Sequence, residues 1–139
     1  MPRTWRAAIW TTAATCSPKC EPVFCAMTAG MYMAALGGTG IRELARLNYD
    51  KAEYFKAGLV KAGAKICFAS PTFNEFVVEF AGNFKPSARQ LLKKKIVAGL
   101  ELGGYYPNLK GKYLFCVTET VSREIIDAVV GEVKKRKPF

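Results

Sequence analysis

The chain has 139 residues and a mass of 15.3 kDa; half of its residues are hydrophobic, its formal net charge is +10, and it contains no histidine. A chain of this length forms one domain and buries roughly two-thirds of its unfolded surface, which leaves little room for both a cofactor and a substrate domain. The missing histidine excludes imidazole bases, the Ser-His-Asp and Cys-His catalytic constellations, and every metal site that needs His ligands.

The first sixteen residues follow neither a helical nor a strand period, which predicts an arm that is ordered only if it packs on something. Arg3 and Arg6 precede a short apolar stretch, as in a secretory signal. The stretch lacks a long apolar run and a small-x-small cleavage site. We therefore expect a cytoplasmic protein.

Ser17-Pro18 is typical of a helix start, and the helix is predicted to run to about Leu36. Residues 22–41 carry no charge and reach the length of a membrane-spanning helix. Their many glycines, threonines and alanines give little transfer energy, so the pattern favours a buried helix over a membrane span. Because this helix is apolar all round, we expect it in an interior or at an interface.

Gly37-Gly38 ends the first helix, and Thr39 is predicted to cap a second one that runs to about Ala62, with Gly63 as its C-terminal glycine. The predicted inward positions share helical spacing: Ile41, Leu44, Ala45, Ala52, Phe55, Leu59 and Val60.

The rest of the chain alternates strands and helices. Apolar runs predict strands at 65–68, 76–80 and 112–117, a helix spans 86–95, and the glycine-rich residues 96–111 form a loop with a short extended piece. Ser122 caps a last helix whose predicted inward residues are Ile125, Ile126, Val129, Val130 and Val133. This order predicts an α+β fold, a two-layer sandwich of a small sheet covered by helices.

The positive charge is spread evenly over both halves of the chain, and only residues 93–95 and 134–137 form basic runs. A nucleic-acid groove needs cations stacked at three- and four-residue spacing on one helix face, which consecutive lysines do not provide. We therefore expect a solvated basic surface without a nucleic-acid partner, and keep polyanion binding as the weakest alternative.

The five cysteines are odd in number and include no CxxC pair. Cys16, Cys20 and Cys25 have spacings that match no zinc or redox motif, so a soft-metal site there is a minor alternative. Cys67 and Cys116 lie in apolar runs, where a thiol behaves as a small buried hydrophobe. The pattern predicts reduced, structural cysteines and no metal.

Five segments carry a resemblance to a known family. They are Gly40 to Ala45, Asn48 with Lys51-Ala52, Phe73 to Val78, Gly99 to Gly103 with Tyr105-Tyr106-Pro107, and Cys116 to Thr120. In this order they resemble the C-terminal part of subunit 1 of the two-subunit glycine dehydrogenase (decarboxylating), the P-protein of the glycine cleavage system. The resemblance covers roughly residues 20–135.

The resemblance implies a pyridoxal-phosphate enzyme of the aspartate-aminotransferase fold, of which residues 17–139 form the C-terminal small domain and residues 1–16 a divergent N-terminal arm. The family decarboxylates glycine on the cofactor, which takes up the released electrons, and transfers the aminomethyl group to the lipoyl arm of the H-protein. In this family the Schiff-base lysine belongs to subunit 2. No residue of this chain is therefore expected to be catalytic, and no cofactor is expected in the chain alone.

The chain departs from the family at the entry to the first helix. Subunit 1 proteins carry a Thr-Ser-Asn-Ile-Cys stretch there, and of these residues only Thr15 matches. An active-site role of that stretch is expected to be lost.

Three groups of matched residues are candidates for a cleft or an interface: Asn74 and Glu75 at a strand entry, Tyr105 and Tyr106 after the glycine-rich loop, and Thr118, Glu119 and Thr120 between a strand and a helix. For the first and third groups, backbone satisfaction and helix capping are the competing interpretations. Exposed aromatic residues on a loop suit a contact with a partner.

Two hypotheses follow. The chain is part of glycine dehydrogenase subunit 1 that acts with subunit 2 and the H-protein, or it is an orphaned, non-catalytic domain that serves as a binding or oligomerisation module. Without a large domain we expect an apolar patch on the first helix and self-association to cover it.

Overall fold

The computed structural model describes residues 21–135, which form three helices and a four-stranded antiparallel sheet. The elements are α1 (Glu21–Lys61), β1 (Lys65–Ile66), β2 (Glu75–Glu79), α2 (Lys85–Lys93), β3 (Leu100–Glu101), β4 (Lys112–Cys116) and α3 (Arg123–Lys134). Two short 3-10 turns, Leu102–Gly104 and Pro107–Leu109, lie between β3 and β4. Helices combined with an antiparallel sheet confirm the predicted α+β class, and the strands, α2 and α3 agree with the predicted bounds to within two residues.

The sheet has the strand order β1-β2-β4-β3, and every neighbouring pair is antiparallel. In the central pair, Phe76 lies opposite Phe115, and Val78 lies opposite Tyr113. Because side chains alternate along a strand, these four residues share one face, and each is at most 5% exposed. This face of the sheet carries the core.

An aromatic cluster joins the sheet to the C-terminal half of α1. The ring of Phe55 meets Phe76 and Phe115 edge-on, with ring centroids 5.7 and 5.3 Å apart. Edge-to-face contacts of this kind are favoured by the aromatic quadrupole. Ala52 and Leu59 lie on the same side of α1 and are fully buried, as predicted.

The predicted helix boundaries around residue 37 and residue 62 are confirmed. α1 is interrupted at Gly37, whose φ of 63° and ψ of 178° are not helical. Gly63 follows the end of α1 with φ 93°, as a C-terminal glycine does. The predicted arm and the Ser17-Pro18 start lie outside the described residues.

The chain divides into two compact units at Glu43/Leu44. In the first unit α1 exposes its large apolar side chains, and six of them are more than half exposed: Val23, Phe24, Met27, Met31, Tyr32 and Met33. The prediction that this helix lies in the interior is therefore wrong for the chain alone, whereas its place at an interface stays a prediction. An apolar sequence indicates that a helix is covered, but not by which surface. The predicted apolar patch is confirmed, whereas self-association stays a prediction.

Within the described part of the chain, one helix is long and apolar enough to cross a membrane, judged by length and composition alone. It spans Val23–Lys61, its most apolar window has a mean hydropathy of 1.2, and none of that window is buried. Core helices and signal sequences share this length and composition, so the expectation of no membrane partner stays a prediction.

Several residues predicted to be inward or buried point outward instead. Val60 is 52% exposed and Ile125 is 39% exposed, because each lies about 100° around its helix from a buried neighbour, Leu59 or Ile126. Ile41, which belongs to the first unit, is 37% exposed. Cys67 is only half-buried and Cys116 is exposed, since strand alternation turns Phe115 and Val117 inward.

Candidate functional site

Two of the three predicted groups lie together where β2 begins and β4 ends. The antiparallel register places Glu75 opposite Cys116, and the amide of Val117 donates to the carbonyl of Asn74 at 2.9 Å. We call this end of the sheet the polar edge; it consists of Asn74, Glu75, Cys116, Thr118, Glu119 and Thr120. The sheet register thus unites residues that are about 40 positions apart in the sequence.

The segment that follows β4, residues 118–121, forms a tight turn that we call the threonine turn. The hydroxyl groups of Thr118 and Thr120 share a hydrogen bond of 2.8 Å, and the amide of Val121 donates to the carbonyl of Thr118 at 3.1 Å. As predicted, Ser122 caps α3, because its hydroxyl accepts from the amide of Ile125. The two threonines therefore shape the turn and do not cap α3.

Lys51 of α1 anchors this turn through two hydrogen bonds. Its ammonium donates to the carbonyl of Glu119 and to that of Val121, the latter at 2.7 Å. Asn48, one turn earlier on the helix, is 7% exposed; its amide nitrogen donates to the carbonyl of Leu44, while its side-chain oxygen has no partner. α1 thus fixes the position of the turn through a charged donor.

The pKa of the thiol at the polar edge is raised. Partial desolvation of Cys116 is the first cause, although the residue is exposed overall, and the negative charge and hydrogen bond of Glu75 raise the pKa further. The side-chain amide of Asn74 donates weakly to the same sulfur at 3.9 Å. Because the thiolate is the nucleophile, this shift lowers the reactivity of Cys116 relative to that of a free thiol.

Polar contacts also tie the start of α3 to α1. The hydroxyl of Tyr54 donates to Asp127 at 2.7 Å, and the guanidinium of Arg123 lies 4.5 Å from the centre of the Tyr54 ring. The Ser122 hydroxyl lowers the pKa of Glu124 by hydrogen bonding, helped by the backbone amide of Glu124. These contacts fix α3 next to the polar edge.

The third predicted group does not join the polar edge. β3 pairs Leu100 with Leu114 and Glu101 with Tyr113, so the chain leaves β3 toward the beginning of β4. Tyr105 and Tyr106 therefore lie at the opposite end of the sheet, with Tyr105 67% exposed. They remain candidates for a separate partner contact.

Sequence reasoning gave no role to Lys51, although one signal was present. Lys51 stands at helical spacing between Asn48 and Phe55, on the side of α1 that carries buried residues. A lysine on an otherwise inward face requires a polar partner for its ammonium group. That requirement could have indicated an anchor for a loop.

Known proteins share the fold of this chain. A crystal structure of "glycine decarboxylase (P-protein) of the glycine cleavage system, in inhibitor-bound form" matches with a TM-score of 0.63 at 26% identity, over 76% of this chain and 24% of that chain. The fold is therefore an α+β domain of the glycine decarboxylase type. The family model described as "Glycine cleavage system P-protein" matches residues 10–133, and the chain belongs to this family.

Curated relatives agree with the family and with the predicted resemblance. A "Probable glycine dehydrogenase (decarboxylating) subunit 1" of Desulfotalea psychrophila is 58% identical over 111 residues, which is 80% of this chain and 25% of the relative. The protein of the same name from Bacillus licheniformis is 39% identical over 108 residues, covering 78% and 24%. The chain thus spans about a quarter of the length of these relatives.

The polar edge does not by itself fit pyridoxal phosphate. That cofactor needs a free lysine amine for its Schiff base and a partner for its ring nitrogen, besides donors for its phosphate. The polar edge offers two carboxylates, two hydroxyls, the carboxamide of Asn74 and a thiol, while the ammonium of Lys51 is bound to two backbone carbonyls. Among residues 21–135, no three potential ligands of the His, Cys, Asp or Glu type lie together for a metal ion.

Proposed function

We propose that this chain is part of a glycine dehydrogenase (decarboxylating) subunit 1 of the glycine cleavage system and supports the reaction without carrying a catalytic residue. In this role it supports pyridoxal-phosphate-dependent decarboxylation of glycine and aminomethyl transfer to the lipoamide of the H-protein. The family match over residues 10–133 supports the proposal. The observation that carries its non-catalytic part is that the ammonium of Lys51, which contacts the polar edge, is engaged with two backbone carbonyls.

The residues of the polar edge would then act as positioned polar contacts for a site completed elsewhere. Lys51 holds the carbonyls of Glu119 and Val121, so the threonine turn presents Thr118 and Thr120 in a fixed arrangement. A preorganised arrangement of this kind orients a bound group without further ordering cost.

The finer placement of the chain belongs to the same proposal. We take residues 17–139 as the C-terminal small domain of a pyridoxal-phosphate transferase fold, with helices on one face of the sheet in two layers. The contacts of Phe55 with Phe76 and Phe115 are consistent with such layers. The proposed partners are subunit 2 and the H-protein, and the proposed location is the cytoplasm.

A second candidate function is that of a non-catalytic module that associates with itself. The observation that favours it is the exposed apolar surface of α1, in which Phe24 and Met31 are each 65% exposed. Contiguous exposed apolar surface of this kind is typical of interaction sites. In this alternative the fold is retained and the reaction is lost.

Sedimentation velocity separates the two candidates. The full chain is run alone, with a subunit 2, and with subunit 2 and H-protein, beside the variants Met31→Lys on the exposed helix and Val97→Lys at an exposed loop position as the matched control. Co-sedimentation with subunit 2 supports the leading proposal. Self-association that only Met31→Lys abolishes supports the alternative, and a monodisperse monomer in every mixture contradicts both.

A further inference from the structure

The exposed side of α2 concentrates positive charge. Residues 80–100 contain five basic side chains and no Asp or Glu. One of the five, Lys85, is paired with Glu101 at 3.1 Å. The other four belong to a surface that we call the basic face, which consists of the exposed residues Arg89, Leu92, Lys93, Lys94 and Lys95.

Helical geometry aligns two of these cations on one side of α2. Arg89 and Lys93 are four residues apart, which places their Cβ atoms about 5–6 Å from each other. The buried residues of α2, Ser87 and Leu91, lie two positions before and after Arg89 and therefore on the opposite side of the helix. Arg89 thus supplies the cation at four-residue spacing that the lysine run at residues 93–95 lacks by itself.

The cations of the basic face have no partner of opposite charge. Within residues 21–135, none of the four forms an ion pair. The helix dipole favours a lysine in the last turn, as at Lys93 and at Lys61 of α1, but it does not account for Arg89 in the middle of α2. Like charges at four-residue spacing destabilise a helix, and a negatively charged partner would relieve this repulsion.

The backbone at Lys95 also favours a residue other than lysine. Among the described residues, Lys95 is the only non-glycine residue with a positive φ, which is 61°. Its amide donates to the carbonyl of Leu92 at 2.9 Å, and the amide of Ile96 donates to that of Leu91 at 3.0 Å. This is the Schellman arrangement, in which glycine is usual at the left-handed position. Lysine there costs stability relative to glycine and adds a cation to the basic face.

We propose that the basic face binds an acidic helical segment of a partner protein. Carboxylates four residues apart on such a helix match the spacing of Arg89 and Lys93. An apolar side chain beside the carboxylates covers Leu92, which is 60% exposed. None of these residues belongs to the polar edge, so the proposal does not depend on the role proposed there.

The composition of the basic face favours a protein over other polyanions. The face contains no aromatic ring on which a nucleic-acid base could stack. Its single aliphatic residue, Leu92, buries too little apolar area to hold the chain on a membrane, since binding of interfacial helices scales with that area.

The test is fluorescence anisotropy of the full chain with a labelled helical peptide. The peptide is alanine-based and carries glutamates four residues apart with leucines beside them, and a scrambled peptide keeps the composition but loses the spacing. We expect saturable binding of the ordered peptide that weakens at least tenfold between about 50 and 250 mM salt. The scrambled peptide should bind roughly fivefold more weakly.

Substitutions assign the binding to the basic face. Arg89→Gln and Lys93→Gln should each weaken binding of the ordered peptide about threefold, whereas Lys61→Gln, in the last turn of α1, should change it by less than about 1.5-fold. Lys95→Gly should raise the urea midpoint of unfolding, because glycine accepts the left-handed backbone, and should weaken peptide binding about threefold. A lysine with a structural role alone would not show these two opposite effects.

The proposal is overturned by the absence of saturable binding, by equal affinities of the ordered and scrambled peptides, or by Arg89→Gln and Lys93→Gln variants that bind as the parent chain does. Tighter binding of phosphatidylserine vesicles or of duplex DNA at the same salt concentration would assign the basic face to a membrane or to a nucleic acid, and would also overturn it.

Discussion

The ammonium of Lys51 is the link between α1 and the threonine turn. It donates to the carbonyls of Glu119 and Val121, which are 68 and 70 residues further along the chain. Lys51→Met retains an unbranched apolar stem and removes the charged donor. The substitution should therefore release the turn while leaving the core contacts of α1 in place.

The magnitude follows from the two hydrogen bonds. Hydrogen bonds to a charged group contribute about 1.5–3 kcal/mol each when buried. Lys51 is only half-buried, and water can hydrate the two released carbonyls, so the net loss is smaller. We expect Lys51→Met to lower the free energy of unfolding by about 1.5–2 kcal/mol in total.

Urea unfolding measures the loss of stability, and hydrogen exchange of the Val121 amide reports the turn directly. That amide donates to Thr118 at 3.1 Å, so its exchange should accelerate at least tenfold while the amides that join β2 to β4 stay protected. Lys51→Arg should restore part of the protection. Lys61→Met, at an exposed lysine of the same helix, should change stability by less than about 0.5 kcal/mol.

A loss of less than about 0.5 kcal/mol in Lys51→Met, together with exchange of the Val121 amide as in the parent chain, would refute this role of Lys51. That result would mean that the turn is held by its own hydrogen bonds, and that Lys51 is an ordinary surface lysine.

Three further predictions concern the core, the start of α3 and the thiol. Gly99 has φ +72°, and a Cβ there would lie 2.9 Å from Phe115. Gly99→Ala should therefore lower the free energy of unfolding, measured by thermal unfolding, by about 2–3 kcal/mol. Gly104→Ala is the control, and an equal loss of stability in both variants would contradict the strain at Gly99. Ser122→Ala should cost about 1 kcal/mol as a lost helix cap. Because the folded pKa of Glu124 is lowered, Glu124 stabilises the fold above its unfolded pKa, and this stabilisation is lost as the pH falls through the folded pKa. Ser122→Ala should therefore weaken the fall of unfolding free energy with decreasing pH. An unchanged pH dependence in an acid titration would argue against this assignment. Glu75→Gln should lower the pKa of Cys116 and speed its alkylation by iodoacetamide at about pH 8 roughly threefold. Glu79→Gln is the control and should leave the rate unchanged. Equal alkylation rates in both variants would exclude the influence of Glu75.

The sequence predicted elements well where local chemistry determines them. Three helix boundaries were each indicated by a single residue type with a specific backbone role: the cap at Ser122, the helix end at Gly63 and the interruption at Gly37. The inward face of α3 was also predicted correctly at Val129 and Val133. These features depend on neighbours within one or two turns.

Features that depend on strand register or on a missing cover were not predictable in the same way. The separation of Tyr105 from the polar edge rests on a two-residue strand, β3, whose pairing with β4 no local pattern specifies. The exposure of Met27 and Met31 reflects what packs on α1, which the helical period does not contain. The role of Lys51 rests on a contact with a residue 70 positions away in the sequence, which no local pattern indicates.

The most direct test of the proposed function is a chimera. The 111 residues that match this chain in the Desulfotalea psychrophila relative would be replaced by those of this chain, at 58% identity. Glycine-dependent exchange of labelled carbon dioxide is then measured with subunit 2 and H-protein, beside the parent relative and this chain alone. The account predicts exchange by the chimera within about threefold of the parent, equivalent to about 0.7 kcal/mol, and none by this chain alone with pyridoxal phosphate. A folded chimera without exchange, or exchange by this chain alone, would contradict it.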